Sequence, residues 1–229
     1  MKSLSFLIPA YNDEATIAKQ VTQARFVGIK LGIPFEIIVI NDCSEDQTTQ
    51  ILTNLAKRFK ELRVLIHAVN KGYGTTIKEL YYAAKKEWLF TIPGDYQVEA
   101  KELLNLLPHE KNADMILGWR NSRNDSGMRQ YQSLIYNWII SFLFDTKTRD
   151  VNSVRLMRSR IMKSVALRSK SAFADAELTI KAKLSGFRIM EVPIGHRYRH
   201  DGTGTGGGGK IKVILPTIRE MLFYRLGIL

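Results

Sequence analysis

The strongest constraint on this chain is an alternation. Runs of six to eight mostly apolar residues take turns with longer stretches whose apolar positions recur at helical spacing. The runs LSFLIPA (4–10), FEIIVIND (35–42), RVLIHA (63–68), EWLFTIP (87–93) and ADMILGW (113–119) read as strands. Between them, residues 13–32, 46–61 and 74–86 read as helices, the first ending at Gly32, and 100–107 as a short one. A strand apolar along its whole length needs cover on both faces, which is the mark of a mainly parallel sheet with helices on either side. The expectation is an α/β fold with a single Rossmann-like open sheet.

Open sheets of this kind bind ligands beyond the carboxyl ends of their strands. The polar residues gather there: PAYND after the first run, NDCSED after the second, VNKGYG after the third, PGDYQ after the fourth and GWR at the fifth. Each is ordinary turn chemistry by itself; five together outline a candidate cleft. NKGYG (70–74) is not a dinucleotide or phosphate-loop signature, since it lacks both the G-x-G-x-x-G and the G-K-[ST] pattern. Its helix N-terminus can still face an anion. Asp46 reads as helix-capping material. Asp42, at the strand end, is open between a turn role and a contact to a base N–H or ribose hydroxyl. Asp95 and Gln97 are open between turn residues and ligands for a hard cation, which takes oxygen donors and needs few from protein when a diphosphate supplies the rest.

The second half is less regular. Residues 129–144 read as a helix with aromatics on several sides, 151–158 as a strand, 173–186 as an amphipathic helix and 187–200 as a strand. His196 and His200 read as polar strand-end residues. The glycine-rich stretch 201–209 is a flexible linker, and 210–229 is an amphipathic segment with interleaved bases. The expected organisation is therefore one domain over 1–200, a linker over 201–209 and a C-terminal segment over 210–229.

Charge and cysteine content narrow the setting. The single cysteine, Cys43, permits no internal disulfide and fits a reducing compartment. Lys plus Arg number 34 against 22 acids, a net +12, which suggests an anionic partner. The opening MKSLSFLIPAYNDEA does not read as a signal peptide, because its apolar run is short and ends at Pro9 and an acidic pair. The longest apolar run, 133–144, falls short of the roughly 20 residues that a spanning helix needs. The expectation is a cytoplasmic protein, peripheral on the inner face of the membrane, with the basic tail and the 131–144 helix touching an anionic surface. No nucleic-acid partner is expected, since the bases are spread along the chain rather than gathered in one recognised motif. Oligomeric state is not readable.

FLIPAYNDE, IIVINDCSEDQT, VNKGYG and PGDYQ, in this order and at these separations, resemble family-2 glycosyltransferases of the GT-A fold. The resemblance continues through ADMILGWR, Arg129, DVNSVRLMR, FADAEL and EVPIGHRYRHDG, and is nearest to dolichol-phosphate mannose synthases and bacterial polyprenyl-phosphate glycosyltransferases. It implies a nucleotide-sugar site at Pro9, Tyr11, Asp13, Asp42, Lys71, Gly72 and Gly74, with Arg197 and Arg199 near the diphosphate. It implies a metal, Mg²⁺ or Mn²⁺, on Asp95 and Gln97. Asp175 matches the acid that serves as base toward hydroxyl acceptors, and Arg120 and Arg129 match residues that hold an acceptor phosphate.

Several positions depart from the pattern. Asp13 stands for a usual Glu, Asn41 and Cys43 flank Asp42 where another Asp and a Gly are usual, and Pro93 replaces the first acid of Asp-x-Asp. The implied activity is inverting transfer from a UDP- or GDP-sugar to an acceptor, most readily a polyprenyl phosphate. A sugar or lipid hydroxyl in cell-envelope polysaccharide synthesis is the alternative acceptor. A non-catalytic nucleotide-binding protein on the same fold is the alternative of another class.

Overall fold

The computed structural model describes residues 1–121, 127–146, 148–197 and 211–228, with backbone only for 127–130 and 211–212. The Arg129 side chain, Arg199, His200 and the 201–209 linker lie outside the described residues.

Seven strands form one sheet: β1 (Leu4–Ala10), β2 (Phe35–Asn41), β3 (Leu62–Ile66), β4 (Trp88–Thr91), β5 (Met115–Arg120), β6 (Arg155–Arg158) and β7 (Ile189–Ile194), in the order β3-β2-β1-β4-β6-β5-β7. All neighbours run parallel except β6, which is antiparallel to both β4 and β5. The helices are α1 (Ile17–Leu31), α2 (Thr48–Arg58), α3 (Tyr73–Ala83), α4 (Leu103–Leu106), α5 (Gly127–Phe144), α6 (Arg160–Ser164), α7 (Ala174–Leu184) and α8 (Ile211–Arg225). Single 3₁₀ turns flank α4, and α6 lies where the sequence pattern carries no helical signal.

The period of two along each strand splits its side chains between two cores. Phe6, Ile8, Ile37, Val39, Phe90, Ile116 and Leu156 pack with α1 and α2. Leu7, Ile38, Ile40, Leu89, Leu117 and Met157 pack with α3 and α7. A third cluster, around Ile140, Phe173, Ile180 and Met221, joins α5, α7 and α8. Gly32 ends α1 in the left-handed conformation that a side chain would strain (φ 65°).

Helix α1 begins four residues later than the sequence pattern predicts. Asp13 is held instead in the turn that leaves β1. Its carboxylate accepts from the Tyr11 N–H (3.0 Å), its own N–H donates to Thr48 Oγ1 (2.9 Å), and its carbonyl accepts from the Thr16 and Ile17 N–H groups.

Candidate active site

The cleft lies at the carboxyl ends of β1, β4 and β5. Because β6 runs the other way, its leading residues reach the same edge. Pro9, Tyr73, Pro93, Asp95, Gln97, Arg120, Asn152, Ser153 and His196 are among the residues that line one pocket there. Of the residues marked in the sequence, Pro9, Asp95, Gln97 and Arg120 are thus brought together.

The Pro93–Gln97 loop is held from below by α1. Gln20, fully buried, donates both amide hydrogens, to the Pro93 carbonyl (2.7 Å) and the Val98 carbonyl (2.9 Å). Thr16 donates to the Gly94 carbonyl (2.9 Å), and the Gly94 N–H to the Pro9 carbonyl (3.2 Å). Gly94 is required by space: a Cβ there would stand 2.6 Å from Asp13 Oδ2. Asp95 Oδ1 accepts from the Gln97 N–H (3.0 Å), which sets the direction of its carboxylate.

Beyond the loop, Glu99 pairs with Arg197 (3.2 Å) and Lys101 (2.7 Å) and accepts from the Tyr96 hydroxyl (2.7 Å). Burial pushes Glu99 up, but Lys101, Tyr96, Gln23 and Arg197 outweigh it and hold the carboxyl down to about 2. Burial and the neighbouring Glu99 push the Tyr96 phenol up to about 12. The Arg197 N–H donates to the Gln97 carbonyl (2.8 Å), so Arg197 is fastened to this loop by backbone as well as side chain.

Asp42 is nearly fully buried, and its carboxylate is committed to the 70–74 loop. It accepts from the Lys71 and Gly72 N–H groups (2.8 Å each) and meets His67 Nδ1 at 2.6 Å. His67 Nε2 faces Glu79 (2.9 Å), which also holds the Lys71 ammonium (2.9 Å). Burial raises Glu79, and Lys71 and His67 bring it below its ordinary value. Gly72 has φ 81°, and a Cβ on Gly74 would collide with the carbonyl oxygens of Lys170 and Ser171. His67 went unread in the sequence, where its signal is a histidine closing an apolar strand.

Asp175 does not reach the pocket wall. It is 1% exposed, at the start of α7, and forms an ion pair with the fully buried Arg155 (3.0 Å). Arg155 also donates to the Val151 and Asp175 carbonyls (2.9 and 3.1 Å). The Tyr73 hydroxyl donates to Asp175 (2.7 Å) while the Tyr73 ring lines the pocket. Burial and the Asp175 charge push this phenol well above its ordinary value, so it stays a neutral donor. Arg120 is gripped by Asp150 through two bonds, Nε to Oδ2 at 2.7 Å and Nη2 to Oδ1 at 2.8 Å. Such a fork-to-fork pair fixes the guanidinium plane.

This edge of an open, mainly parallel sheet, with one acid, two amides and an arginine at one cleft, is the ligand-binding edge of an α/β fold. A family model described as glycosyl transferase family 2 matches residues 5–172. The chain belongs to glycosyl transferase family 2. It is 24% identical to a dolichyl-phosphate beta-glucosyltransferase of Trichomonas vaginalis over 98% of this chain and 74% of that one. It is 25% identical to an undecaprenyl-phosphate 4-deoxy-4-formamido-L-arabinose transferase of Edwardsiella ictaluri over 89% of this chain but only 63% of the relative. The chain therefore spans about three quarters of the first relative and less than two thirds of the second.

Among solved structures, glucosyl-3-phosphoglycerate synthase from Mycobacterium tuberculosis, in complex with Mn²⁺, UDP and glucosyl-3-phosphoglycerate, superposes with a TM-score of 0.72. The identity is 18%, over 100% of this chain and 81% of that one. Staphylococcus aureus TarS with UDP-GlcNAc gives 0.60 at 21% identity, over 89% and 61%. These likenesses establish the fold.

Proposed function

We propose that this chain transfers a sugar, with inversion, from a nucleoside-diphosphate sugar to a polyprenyl phosphate. The observation that carries the choice of acceptor is the pairing of Asp175 with Arg155 beneath the pocket, while Arg120 stands in the pocket wall. A hydroxyl acceptor needs a base at its proton. The one acid suited by resemblance to that task is buried, ion-paired and hydrogen-bonded to Tyr73. A phosphate arrives already anionic and needs a cationic seat instead. The names of the two relatives support the same acceptor class.

In this reading a phosphate oxygen attacks the anomeric carbon as the bond from that carbon to the donor diphosphate breaks, and the nucleoside diphosphate leaves with the electron pair. Arg120, its plane fixed by Asp150, orients the attacking phosphate, together with Arg129. Arg197, anchored to the Gln97 carbonyl, meets the charge growing on the leaving group, and the resemblance assigns Arg199 the same task. Asp42 shapes the nucleoside side by fixing the Lys71–Gly74 loop, and Pro9, Tyr11 and Asp13 border it.

Asp95 and Gln97 fit a divalent ion, Mg²⁺ or Mn²⁺: both supply hard oxygen donors to the same pocket. Among the described residues no group of three or more His, Cys, Asp or Glu is arranged to hold a metal ion, so such an ion would draw its other ligands from the diphosphate and water. Bound there, it would supply Lewis-acid charge beside the leaving group.

A membrane seat follows from the acceptor. On α5, Tyr131, Leu134, Trp138 and Phe142 are each more than 60% exposed at a spacing of three or four residues, and Leu215, Ile218 and Leu222 on α8, with Leu226 just beyond it, are exposed as well. Among the described residues no helix is long and apolar enough to cross a membrane. Peripheral attachment at the inner face fits these stripes and the net +12 charge.

The first test is thermal shift with UDP and GDP, each with Mg²⁺, Mn²⁺ or EDTA, on the native chain and Asp95→Ala. A metal-dependent rise with one nucleotide, lost in the variant, is expected. Nucleotide binding with no turnover under either metal would favour the non-catalytic reading. Product analysis with a short polyprenyl phosphate and the matching polyprenol then decides the acceptor. Transfer to the alcohol and not the phosphate would sink this assignment.

A further inference from the structure

The segment 168–172 has no regular secondary structure, yet it is gripped from two sides. From α7, the fully buried Glu177 accepts from the Arg168 N–H (3.0 Å) and the Ser169 N–H (2.8 Å). From the C-terminal helix α8, Glu220 accepts from the Ser171 hydroxyl (2.6 Å), the Ser171 N–H (3.0 Å), the Lys170 N–H (3.1 Å) and, in a short contact, the Ser169 hydroxyl. Burial raises the Glu220 carboxyl, but these four donors outweigh it and hold it below its ordinary value.

The opposite side of the segment is the backing of the candidate nucleotide loop. The carbonyls of Lys170 and Ser171 occupy the space that a side chain on Gly74 would need. Lys78, one turn further along α3, reaches the Ser169 carbonyl (3.4 Å). The Ser171 hydroxyl and carbonyl accept from the Phe173 and Ala174 N–H groups, so the segment also sets the start of α7. One residue later comes Asp175, the acceptor of Tyr73. Two routes, through Gly74 and through Asp175, lead from Glu220 to the same corner of the pocket.

We propose that Glu220 is a positioning residue for the donor site: one carboxylate on the C-terminal helix holds the segment against which the 70–74 loop is built. The inference rests on reading the pocket as a nucleotide-sugar site. Its consequence is reciprocal. If seating of α8 favours the loop conformation that binds nucleotide, then nucleotide must favour the seating of α8 by the same factor. A residue that merely adds stability to a terminal helix makes no such demand.

The test is hydrogen–deuterium exchange over 168–174 and 213–225 in the full chain, with and without UDP or GDP, whichever binds with Mn²⁺. It is run beside direct titration of that nucleotide, on the native protein and on Glu220→Gln. Gln keeps the length of the side chain but replaces one acceptor oxygen with a donor, which opposes the converging N–H groups. In the native protein, nucleotide slows exchange in both segments. In Glu220→Gln the nucleotide still binds but roughly 5- to 20-fold more weakly, the size of ordinary couplings between sites, and α8 is no longer protected. Unchanged affinity in the variant, or native α8 exchange indifferent to bound nucleotide, overturns the inference and leaves the donor site intact. If the native chain binds neither nucleotide, the donor-site reading itself falls and this one falls with it. Should Glu220→Gln fail to fold, the native exchange measurement decides by itself.

Discussion

Arg155 and Asp175 form a fully desolvated ion pair with Tyr73 as third member, and the pair has a measurable signature. Removing one partner leaves an uncompensated charge in the interior, which costs about 3–5 kcal/mol. Arg155→Met is therefore expected to lower the free energy of unfolding in urea by about that much. Arg155→Met combined with Asp175→Leu should recover most of the loss, because no charge is then stranded. A single substitution costing less than about 1 kcal/mol would show that the pair contributes no more than an exposed ion pair does.

The sequence held a hint of this pair, in an arginine set inside the apolar run VNSVRLM. Its partner lies 20 residues away on another element, and nothing local names it. Gln20, His67, Asp150 and Glu220 escaped the sequence reading for the same reason. Each works through a residue that only the fold brings near. Asp95 and Gln97 stood out locally as polar residues after an apolar run, and the family resemblance singled them out; the structure brings both to the pocket wall.

At the level of the element, the 93–99 loop and its supports are the part of the site most open to test. Gly94→Ala forces a Cβ to within 2.6 Å of Asp13 Oδ2, so Asp13 or the loop must move. The expected result is weakened metal-dependent nucleotide binding with a smaller change in melting temperature than Arg155→Met produces.

The same loop carries a pH dependence. Glu99 sits at about 2 in the folded protein, below the ordinary glutamate value of about 4.3. A depressed carboxylate contributes stability that is present above the unfolded value and is lost as pH falls through the folded one. The melting temperature should therefore drop between about pH 5 and pH 2, and Glu99→Gln should flatten that drop. A variant whose acid profile overlays that of the native protein would refute the assignment.

Elements of this kind were largely readable from periodicity. The five strands of the first half lie where the apolar runs placed them, within a residue or two at most ends. The exceptions have physical causes. Helix α1 starts late because Asp13 is held in the turn that leaves β1. Only residues 155–158 of the 151–158 run join the sheet, and residues 152–154 ahead of them line the pocket. Helix α6 is a single short turn whose form is set by its surroundings.

On the scale of the whole molecule, the exposed stripe on α5 meets the basic charge of the chain. Trp138 and Phe142 stack with ring centroids 5.6 Å apart, both open to solvent. Apolar contact and attraction to anionic lipid act together in interfacial binding, and salt screens only the second. Flotation with phosphatidylserine vesicles should carry the native protein upward at low salt and less of it at high salt. Trp138→Ser with Phe142→Ser should float less than the native chain under both conditions, with the larger loss at high salt, where charge attraction no longer compensates. A double variant that floats like the native chain would remove α5 from the membrane seat.

The reversed strand β6 also has a history written into it. It fills the gap between β4 and β5, yet Arg155 is synthesised 64 residues after Thr91, its neighbour in the ladder. At the usual 5–20 residues per second of translation, β4 waits for roughly 3–13 s with one edge bare. That edge, WLFT, is wholly buried in the finished protein, and it is the kind of apolar strand that pairs with whatever strand arrives first. A nascent chain stalled near residue 150 thus presents a bare apolar strand edge. Chaperone dependence during synthesis should be high there and should fall once β6 has filled the gap between β4 and β5.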